Sequence, residues 1–593
     1  MVVTASSGQH ALSQRRAQLA GPSGVKGLLS NLRIFAIAIF ASLGGFVYGY
    51  NQGMFGQILN MTSFSATVHP DSITNPTSRG LLTAILELGA WVGVLINGIL
   101  ADRLGRKLAT VCGVIVFLLG VIVQACAKGP SYILGGRFVT GMGVGTLSMI
   151  VPLYNAELAP AELRGSLVAL QQLAITFGIM VSYWIGYGTN YIGGTGASQS
   201  NAAWLVPICI QILPALALGI GILFMPPRYN STPMCTSKVF LTPLSPRWLM
   251  TKGREEESLA VISRIRSLPS DNELVQLEYL EVKAQHRFEV ETSAARFPQY
   301  HAPGLTNQIK LGFQEYVSLL TNRSLFKRVV VAVFIMVFQQ WSGVNAILYY
   351  AAFIFKDLGL TGNTTSLLAS GVGGILMFLA TIPAVLYIDQ LGRKPVLIVG
   401  AIGMGISHII VAALYGSFSK DWAAHKAAGW VAVVFVWIYE INFGYSWGPA
   451  AWIVVAEIFP LGFRAKGISI GASSNWLNNF AVINFPSLPF LVLSINNDQI
   501  GQATPPMVSS MTYGTFIFFG LICFISALFI YFAVPETKNL TLEEMDEVFG
   551  DEAGNAIEDR NRLLQIYTEL GLFSDGVVEE KAVPSSENVE VEP

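Results

Sequence analysis

Twelve predominantly apolar runs of about 20 residues divide this chain, and no other feature constrains its fold as strongly. A helix of that length crosses the hydrocarbon core of a bilayer, where every backbone polar group must be satisfied inside the segment. We therefore predict an all-α membrane protein with twelve transmembrane helices. The predicted spans, numbered 1 to 12 along the chain, are 34–56, 81–101, 108–126, 131–153, 166–188, 204–226, 329–352, 367–389, 395–415, 429–455, 467–491 and 511–534.

The composition agrees with a membrane protein and excludes several other classes. Hydrophobic residues make up 52% of the chain and charged residues only 12%, and the net charge of −1 gives no reason to expect nucleic acid as a partner. The cysteines are scattered, so we expect neither a disulfide framework nor a metal site. Because no phosphate-binding loop, metal cluster or nucleophile triad is visible, we expect no enzyme activity and no cofactor.

A long polar stretch separates the first six spans from the last six. Lys and Arg gather at alternate span ends, so the positive-inside rule places both termini and this stretch in the cytoplasm. On the opposite side, two sequons make Asn60 and Asn363 candidates for glycosylation. The acidic tail from about residue 550 shows no core-forming pattern, and we expect it to be mostly disordered. The predicted divisions are an N-terminal segment, a six-helix bundle, a linker, a second six-helix bundle and a tail, at residues 1–33, 34–226, 227–328, 329–534 and 535–593.

The two halves repeat the same charged loops at the same positions. Asp102-Arg-Leu-Gly-Arg-Lys107 follows span 2 and Asp389-Gln-Leu-Gly-Arg-Lys394 follows span 8, while Glu157 to Arg164 and Glu457 to Arg464 follow spans 4 and 10. A bias for positive charge explains the basic residues, but it does not explain the duplicated acidic residues. We predict cytoplasmic ion pairs that hold the halves together while a cavity opens outward and that separate when it opens inward. The candidates for this cytoplasmic gate are Asp102, Arg106, Glu157, Arg164, Asp389, Arg393, Glu457 and Arg464.

Span 7 carries amide side chains in the middle of an apolar run. Gln339, Gln340 and Asn345 cannot face lipid, where each unpaired polar group costs several kcal/mol, so they face other helices or a water-filled cavity. We expect the helix to loosen at Ser342-Gly343, which would let both sets of amides reach one cavity. Because each amide both donates and accepts, the group suits a ligand made of hydroxyls. Such amides also join neighbouring helices in bundles, and the residues alone leave both interpretations open.

Short motifs stand at the span ends, and each of them is weak alone. They are Gly49-Tyr-Asn-Gln-Gly53, Gly98 to Lys107, Gly136-Arg137, Glu157 to Gly165, Ser245-Pro-Arg-Trp248, Gln339 to Tyr350, Gly448-Pro-Ala-Ala-Trp452, Glu457 to Arg464 and Pro535-Glu-Thr-Lys538. In this order they make residues 34–549 resemble a sugar porter of the major facilitator superfamily, in a fungal style. The resemblance implies two six-helix bundles that rock about a central sugar site in the plasma membrane, with a monomer as the functional unit. It also implies a cytoplasmic helical bundle in the linker.

The resemblance assigns sugar contacts to particular positions of this chain. Amides of the site would bind hydroxyls, while an aromatic face would cover the apolar face of a pyranose. Tyr349 and Tyr350 match the aromatic pair that closes over the sugar from outside. The other implied contacts are Gln172, Gln339, Gln340, Asn345, Trp452 and Asn475.

Departures from the family pattern leave the substrate open. Met377 stands in span 8 where the family often has Asn, and a thioether cannot donate a hydrogen bond to a sugar hydroxyl. The resemblance implies transport of a hexose or pentose, with a polyol, a quinate-like acid or a disaccharide as alternatives. The cavity motifs contain no Arg or Lys except Arg137, which disfavours an acid.

A non-transporting sugar sensor is a further alternative, although the tail after Val534 is short for a signalling tail. Residues 227–244 are either a loop insertion or a retained intron.

Energy coupling depends on Asn51, Glu87 and Arg137. Proton-coupled sugar porters that resemble this chain carry Asp at the position of Asn51, where it pairs with the arginine of span 4, here Arg137. An amide does not titrate in the physiological range, so Asn51 favours facilitated diffusion. Glu87, in the middle of span 2, keeps proton symport open as an alternative because an intramembrane carboxylate is often functional. Glu440 in span 10 raises the same question.

Overall fold

The computed structural model follows the predicted spans closely. It describes residues 15, 18–19, 32–68, 76–158, 164–223, 245–300, 305–357, 363–419, 421–422, 424–460, 463–484, 513–538, 549 and 555–572, and within these ranges it contains helices and no strands. The span helices are, in order, Leu32–Ala41 with Leu43–Ile58, Pro76–Ala125 for spans 2 and 3 together, Pro130–Leu158, Arg164–Thr189, Ala202–Ile210 with Ile212–Leu223, Arg323–Trp341 with Val344–Asp357, Asn363–Leu391, Arg393–Phe418, Lys426–Tyr445 with Trp447–Glu457, Arg464–Asn484, and Tyr513–Ala533.

Span 11 differs from the others in its polarity. In the described part of the chain, eleven helices are long and apolar enough to cross a membrane, and Arg464–Asn484 is not among them. Its polar side chains face other spans: the Trp91 indole donates to Ser473 Oγ (2.8 Å) and the Trp341 indole donates to Asn478 Oδ1 (2.9 Å). The helix is therefore polar because it packs inside the protein, while residues 485–491 of the predicted span lie outside the described residues.

The internal repeat is visible in the backbone. The helix Pro76–Ala125 is two helices that meet at Gly105, which has a φ of 81°. Gly392, the equivalent residue in the loop after span 8, has a φ of 87°. The same loop shape therefore recurs in both halves, as the sequence repeat predicts.

The most extensive contacts between the two halves lie along three pairs of helices: span 5 against span 8, span 2 against span 11, and span 1 against Val344–Asp357 of span 7. One apolar cluster lies among spans 1 to 4 and 6 and includes Trp476 of span 11. A second lies among spans 5, 7, 8, 9, 10 and 12 and includes Ile37 of span 1 and Leu158 of span 4. Trp452 packs against both clusters, so it stands where the halves meet.

The linker forms a small helical bundle, as the resemblance implied. Its helices are Pro246–Thr251, Glu255–Arg266, Glu273–Arg296 and Leu305–Thr321, with a 3-10 turn at Pro298–Tyr300. Local caps fix two of the helix starts: Ser245 Oγ accepts from Trp248 N (3.3 Å) and Asn272 Oδ1 accepts from Leu274 N (3.0 Å). The segment 227–244, predicted as an insertion, lies outside the described residues.

The prediction of a disordered tail is wrong for residues 555–572. Asn555–Glu569 is a helix that packs against Glu273–Arg296 of the linker. Ile566 and Leu572 are buried against Leu277 and Phe288, and the Arg287 guanidinium pairs with Glu569 (2.6 Å). The apolar residues recur at helical spacing among acidic ones, and the acidic composition hid this amphipathic pattern. Residues 573–593 lie outside the described part of the chain.

Candidate functional site

Span 7 breaks where the sequence predicted it would loosen. The helix ends at Trp341 and begins again at Val344, and Gly343 between them has a φ of 95°, which favours glycine. A Cβ at Gly343 would also lie 2.9 Å from the Phe519 ring. The break separates two predicted groups of site residues, because Gln339 and Gln340 precede it while Asn345 and both tyrosines follow it.

A first group of predicted site residues meets at the start of the second helix of span 10. Gln339 Nε2 donates to the carbonyl oxygen of Trp447 (2.7 Å), and Asn475 Nδ2 of span 11 donates to Gln339 Oε1 (2.7 Å). Gln172 of span 5 reaches the same place, since a Cβ at Gly448 would lie 2.9 Å from Gln172 Nε2. Spans 5, 7, 10 and 11 therefore bring their predicted amides to one place.

A second group contains a residue that the sequence analysis missed. Asn345 Nδ2 donates to Gln340 Oε1 across the break, and Gln52 Nε2 of span 1 donates to Asn345 Oδ1. All three amides are buried, with at most 4% of each residue exposed. Gln52 belongs to the motif Gly49 to Gly53, and its position next to Asn51 was the available signal.

Of two further positions, Trp452 lies where the halves meet and Met377 lies in the hydrophobic core. Trp452 is half-buried and packs against the apolar clusters of both halves, on the same helix as Trp447 and Gly448. Met377 is 2% exposed and lies in the apolar cluster of the second half. The position where the family often has an amide is therefore part of the hydrophobic core in this chain.

The half-helix Val344–Asp357 is held against the first half of the protein. The Tyr349 hydroxyl donates to Glu87 Oε1 (2.6 Å), and the Tyr183 hydroxyl donates to the carbonyl oxygen of Leu348 (2.6 Å). Gly56 allows close approach, since a Cβ there would lie 2.5 Å from the carbonyl oxygen of Tyr349. These contacts join the half-helix to spans 1, 2 and 5 of the first half.

The second tyrosine of the pair lies beside a different cation. The Tyr350 ring is half-buried and lies 5.8 Å from the Arg79 guanidinium. Of the predicted aromatic pair, Tyr349 therefore bonds to Glu87 while Tyr350 lies next to Arg79.

Arg137 and Asn51 do not bond to each other in this structure, and each has other partners. Asn51 Nδ2 donates to Gln211 Oε1 of span 6 (2.7 Å). The Arg137 guanidinium donates to the carbonyl oxygen of Thr83 (2.9 Å), lies 3.6 Å from the centre of the Phe55 ring, and interacts electrostatically with Glu87. Glu87 is fully buried, so the carboxylate beside Arg137 comes from span 2.

The charged loops form ion pairs inside each half. Arg106 pairs with Glu157 (2.7 Å), and Arg393 pairs with Glu457 (2.9 Å). These two ion pairs lie within one half each and do not join the halves, because each short loop lies next to the end of a helix in its own bundle. The side chains of Asp102, Arg164 and Asp389 lie outside the described residues.

A carboxyl group of the linker lies within electrostatic range of charged groups from both halves. Glu289 interacts electrostatically with Glu157 of the first half and with Arg464 of the second, and with Arg247 of the linker. Burial raises the pKa of the Glu289 carboxyl above its ordinary value. The linker therefore places a carboxyl group within electrostatic range of charged groups from both halves.

The sequons are placed as follows. Asn60 is half-buried and its amide nitrogen donates to the carbonyl oxygen of Gly56 (3.0 Å), while the side chain of Asn363 lies outside the described residues. Glycosylation stays a prediction at both positions.

Comparison with known proteins decides the family. The model of a family described as "Sugar (and other) transporter" matches residues 37–234 and 231–549, which is most of the chain. The chain belongs to the sugar (and other) transporter family. The sequence-based resemblance is thereby confirmed, and the protein is a multi-pass membrane transporter with the major facilitator fold.

Relatives in this family are named for different substrates. The chain is 30% identical over 556 residues to a glucose transporter of Aspergillus flavus, covering 91% of this chain and 94% of the relative. It is 31% identical to a probable quinate permease of Aspergillus niger, covering 88% of each protein. Among solved structures, it is similar to the proton:xylose symporter XylE of E. coli bound to 6-bromo-6-deoxy-D-glucose, with 27% identity, a TM-score of 0.66, and coverage of 87% of this chain and 99% of the other.

Proposed function

We propose that this protein carries a monosaccharide across the plasma membrane by alternating access, with both termini and the linker in the cytoplasm. The observation that supports this best is the buried set of uncharged amides at the meeting of the halves. Gln339 bonds Asn475, while Gln340 and Gln52 bond Asn345. Each amide that bonds a neighbour can bond a sugar hydroxyl instead, so substrate binding need not leave a buried polar group unpaired.

The closed end of the bundle supplies a gate for this site. In the proposed orientation, the half-helix Val344–Asp357 closes the external side through the contacts of Asn345, Leu348 and Tyr349 with the first half. Opening toward the outside breaks these hydrogen bonds. Both sets of partners are then exposed to water, which replaces the lost bonds and keeps the cost of opening small.

Two relatives support a monosaccharide as the substrate. One is named a glucose transporter, and the other is a xylose symporter whose structure holds a glucose analogue. The quinate permeases among the relatives support an acid instead. Neutral amides surround the centre, and Arg137 already faces Glu87, so a neutral ligand fits the described residues better.

A sugar sensor is the candidate from another functional class. The chain is 30% identical to the high glucose sensor of Saccharomyces cerevisiae and covers 61% of its length. A sensor and a transporter would share the amide site. They differ in whether bound sugar crosses the membrane, so binding alone does not separate them.

Uptake of labelled compounds tests the proposal. We expect yeast that lacks its own hexose transporters to take up D-glucose or D-xylose saturably when it expresses this protein. Sorbitol, quinate and maltose are the other members of the panel. Uptake of quinate without any sugar would overturn the substrate class. Sugar binding to purified protein without flux in proteoliposomes would favour the sensor.

A further inference from the structure

The carbonyl oxygen of Ser342, at the break in span 7, faces side chains from three other spans. His408 Nε2 of span 9 lies 3.0 Å away, the Tyr439 hydroxyl of span 10 lies 3.1 Å away, and Cys523 Sγ of span 12 lies 3.9 Å away. Because a carbonyl oxygen only accepts, His408 carries a hydrogen on Nε2 and donates it. His408 and Tyr439 are 2% and 1% exposed, so the arrangement is closed to solvent.

Aromatic packing fixes these donors in place. The His408 ring lies 4.5 Å from the Tyr439 ring and 5.9 Å from the Phe519 ring. Phe519 in turn covers Gly343, at the position where a Cβ would lie 2.9 Å from the ring. A histidine inside a membrane-spanning segment is costly to bury, and such residues are usually paired and functional. Here its partner is the backbone of the broken helix.

The hydrogen bonds to the two sides of the break come from different halves of the protein, and Val344–Asp357 also packs against Asn363–Leu391 of the second half. Ser342, before the break, is bonded by His408 and Tyr439 of the second half. Leu348 and Tyr349, after it, are bonded by Tyr183 and Glu87 of the first half. When the halves move apart, the backbone between these attachments must change, and Gly343 is the residue there with the freest backbone.

We propose that His408 and Tyr439 are positioning residues that hold the Ser342 carbonyl as the fixed end of this pivot. The half-helix Val344–Asp357 then rotates about a fixed position, so the hydrogen bond between Asn345 and Gln340 re-forms with the same geometry in each transport cycle. Neither side chain needs to touch the substrate. The inference rests on the transport function proposed above, because only a moving gate requires a pivot.

Variants of the two donors separate hydrogen bonding from packing. His408→Leu with Tyr439→Phe removes both donors and keeps apolar bulk, whereas His408→Gln in the Tyr439→Phe background keeps an N–H near the position of Nε2. Ser407→Ala is the matched control, since Ser407 Oγ donates within its own helix to the carbonyl oxygen of Gly403 (2.8 Å). If the double variant does not fold, the Tyr439→Phe single variant against wild type gives the same comparison with one donor removed.

Hydrogen–deuterium exchange in nanodiscs measures the stability of the backbone at the pivot without needing a substrate. We expect the amides of residues 343–349 to exchange about tenfold faster in the double variant, because a buried carbonyl loses its donors. The His408→Gln combination, which keeps one donor, should exchange at a rate between the double variant and wild type, and Ser407→Ala should stay close to wild type. Either of two results would overturn the inference. The amides of residues 343–349 could exchange at the wild-type rate in the double variant, or they could exchange as fast with His408→Gln as with His408→Leu.

Transport measurements separate a pivot from a purely structural role. We expect the double variant to change the ratio of equilibrium exchange to net efflux of D-glucose, because net efflux requires the empty carrier to reorient. A uniform loss of both fluxes would show a structural role only and would overturn the inference. Absence of sugar flux in wild type would overturn the proposed function, while the hydrogen exchange of the variants would still decide whether the donors hold Ser342.

Discussion

At the scale of single residues, the candidate site consists of amides that satisfy one another. Asn345 is the best connected of them, since it donates to Gln340 and accepts from Gln52. Truncating one member leaves its partners buried with fewer bonds, and it also removes a contact from any bound sugar. Truncating a single amide should therefore weaken sugar binding by more than the loss of one hydrogen bond to the sugar.

We expect Gln340→Ala or Asn345→Ala to weaken sugar binding by about 1–3 kcal/mol, which is about 5- to 150-fold in affinity. Competition binding on purified protein measures the change. Gln124→Ala is a matched control, because Gln124 donates to Thr140 Oγ (2.6 Å) in a buried pair within the first half. The control should lower stability and leave affinity unchanged. Unchanged affinity in both site variants would place the sugar elsewhere.

The sequence reveals some of these residues and hides others for a physical reason. Gln339, Gln340 and Asn345 stand out because three amides in an apolar run cannot face lipid. His408 gives no such pattern, since a lone polar residue in a span has no visible partner. Its partner is the carbonyl of Ser342, and that acceptor is exposed by a break in a distant helix.

At the scale of elements, the apolar spans were predictable because bilayer thickness fixes their length and polarity. Span 11 shows the limit of this argument, since it is polar where it packs against Trp91 and Trp341. The tail helix was missed because its apolar face is short and is covered by the linker rather than by lipid. The mean composition of the whole tail does not show such a short apolar face.

The tail helix gives a prediction at this scale. Ile566 is 1% exposed and packs against the linker cluster that contains Leu277 and Phe288. We expect Ile566→Ala to weaken docking by about 2 kcal/mol or more, because a buried Ile loses its contacts and leaves a cavity. Faster hydrogen exchange of residues 555–572 measures the loss.

The control for the tail helix lies on the same helix. Asn561 is exposed, and Asn561→Ala should leave exchange of the tail unchanged. If Ile566→Ala exchanged at the wild-type rate, the cluster would not be what holds the helix to the linker.

At the scale of the whole molecule, two bundles meet mainly along three helix pairs and are joined by the linker. The repeat of loops in the sequence predicted the two halves, because each half needs the same turn after its second span. The sequence did not show which charges cross between them. The ion pairs of Arg106 and Arg393 stay within a half, while Glu289 of the linker lies between charges of both.

Energy coupling is a property of this whole arrangement, and Asn51 and Glu87 set it. Asn51 bonds Gln211 and has no proton to exchange, whereas Glu87 faces Arg137 and accepts from Tyr349 of the gate. Glu87 already has a hydrogen-bond donor in Tyr349, so its position suits a contact that holds the gate. We therefore propose facilitated diffusion, with Glu87 acting as a latch on the gate.

Sugar uptake with and without a protonophore tests this proposal. We expect uptake to equilibrate, to ignore the protonophore and to leave external pH unchanged when sugar is added, because no group in the pathway must carry a proton. Accumulation that collapses with the protonophore would contradict it. Loss of that accumulation in Glu87→Gln, but not in Glu440→Gln, would then identify Glu87 as the proton carrier, since Glu440 is the other carboxylate buried within the described spans. If uptake is downhill, Glu87→Gln should instead change the rate of gate opening, because a neutral amide bonds Tyr349 more weakly than a carboxylate does.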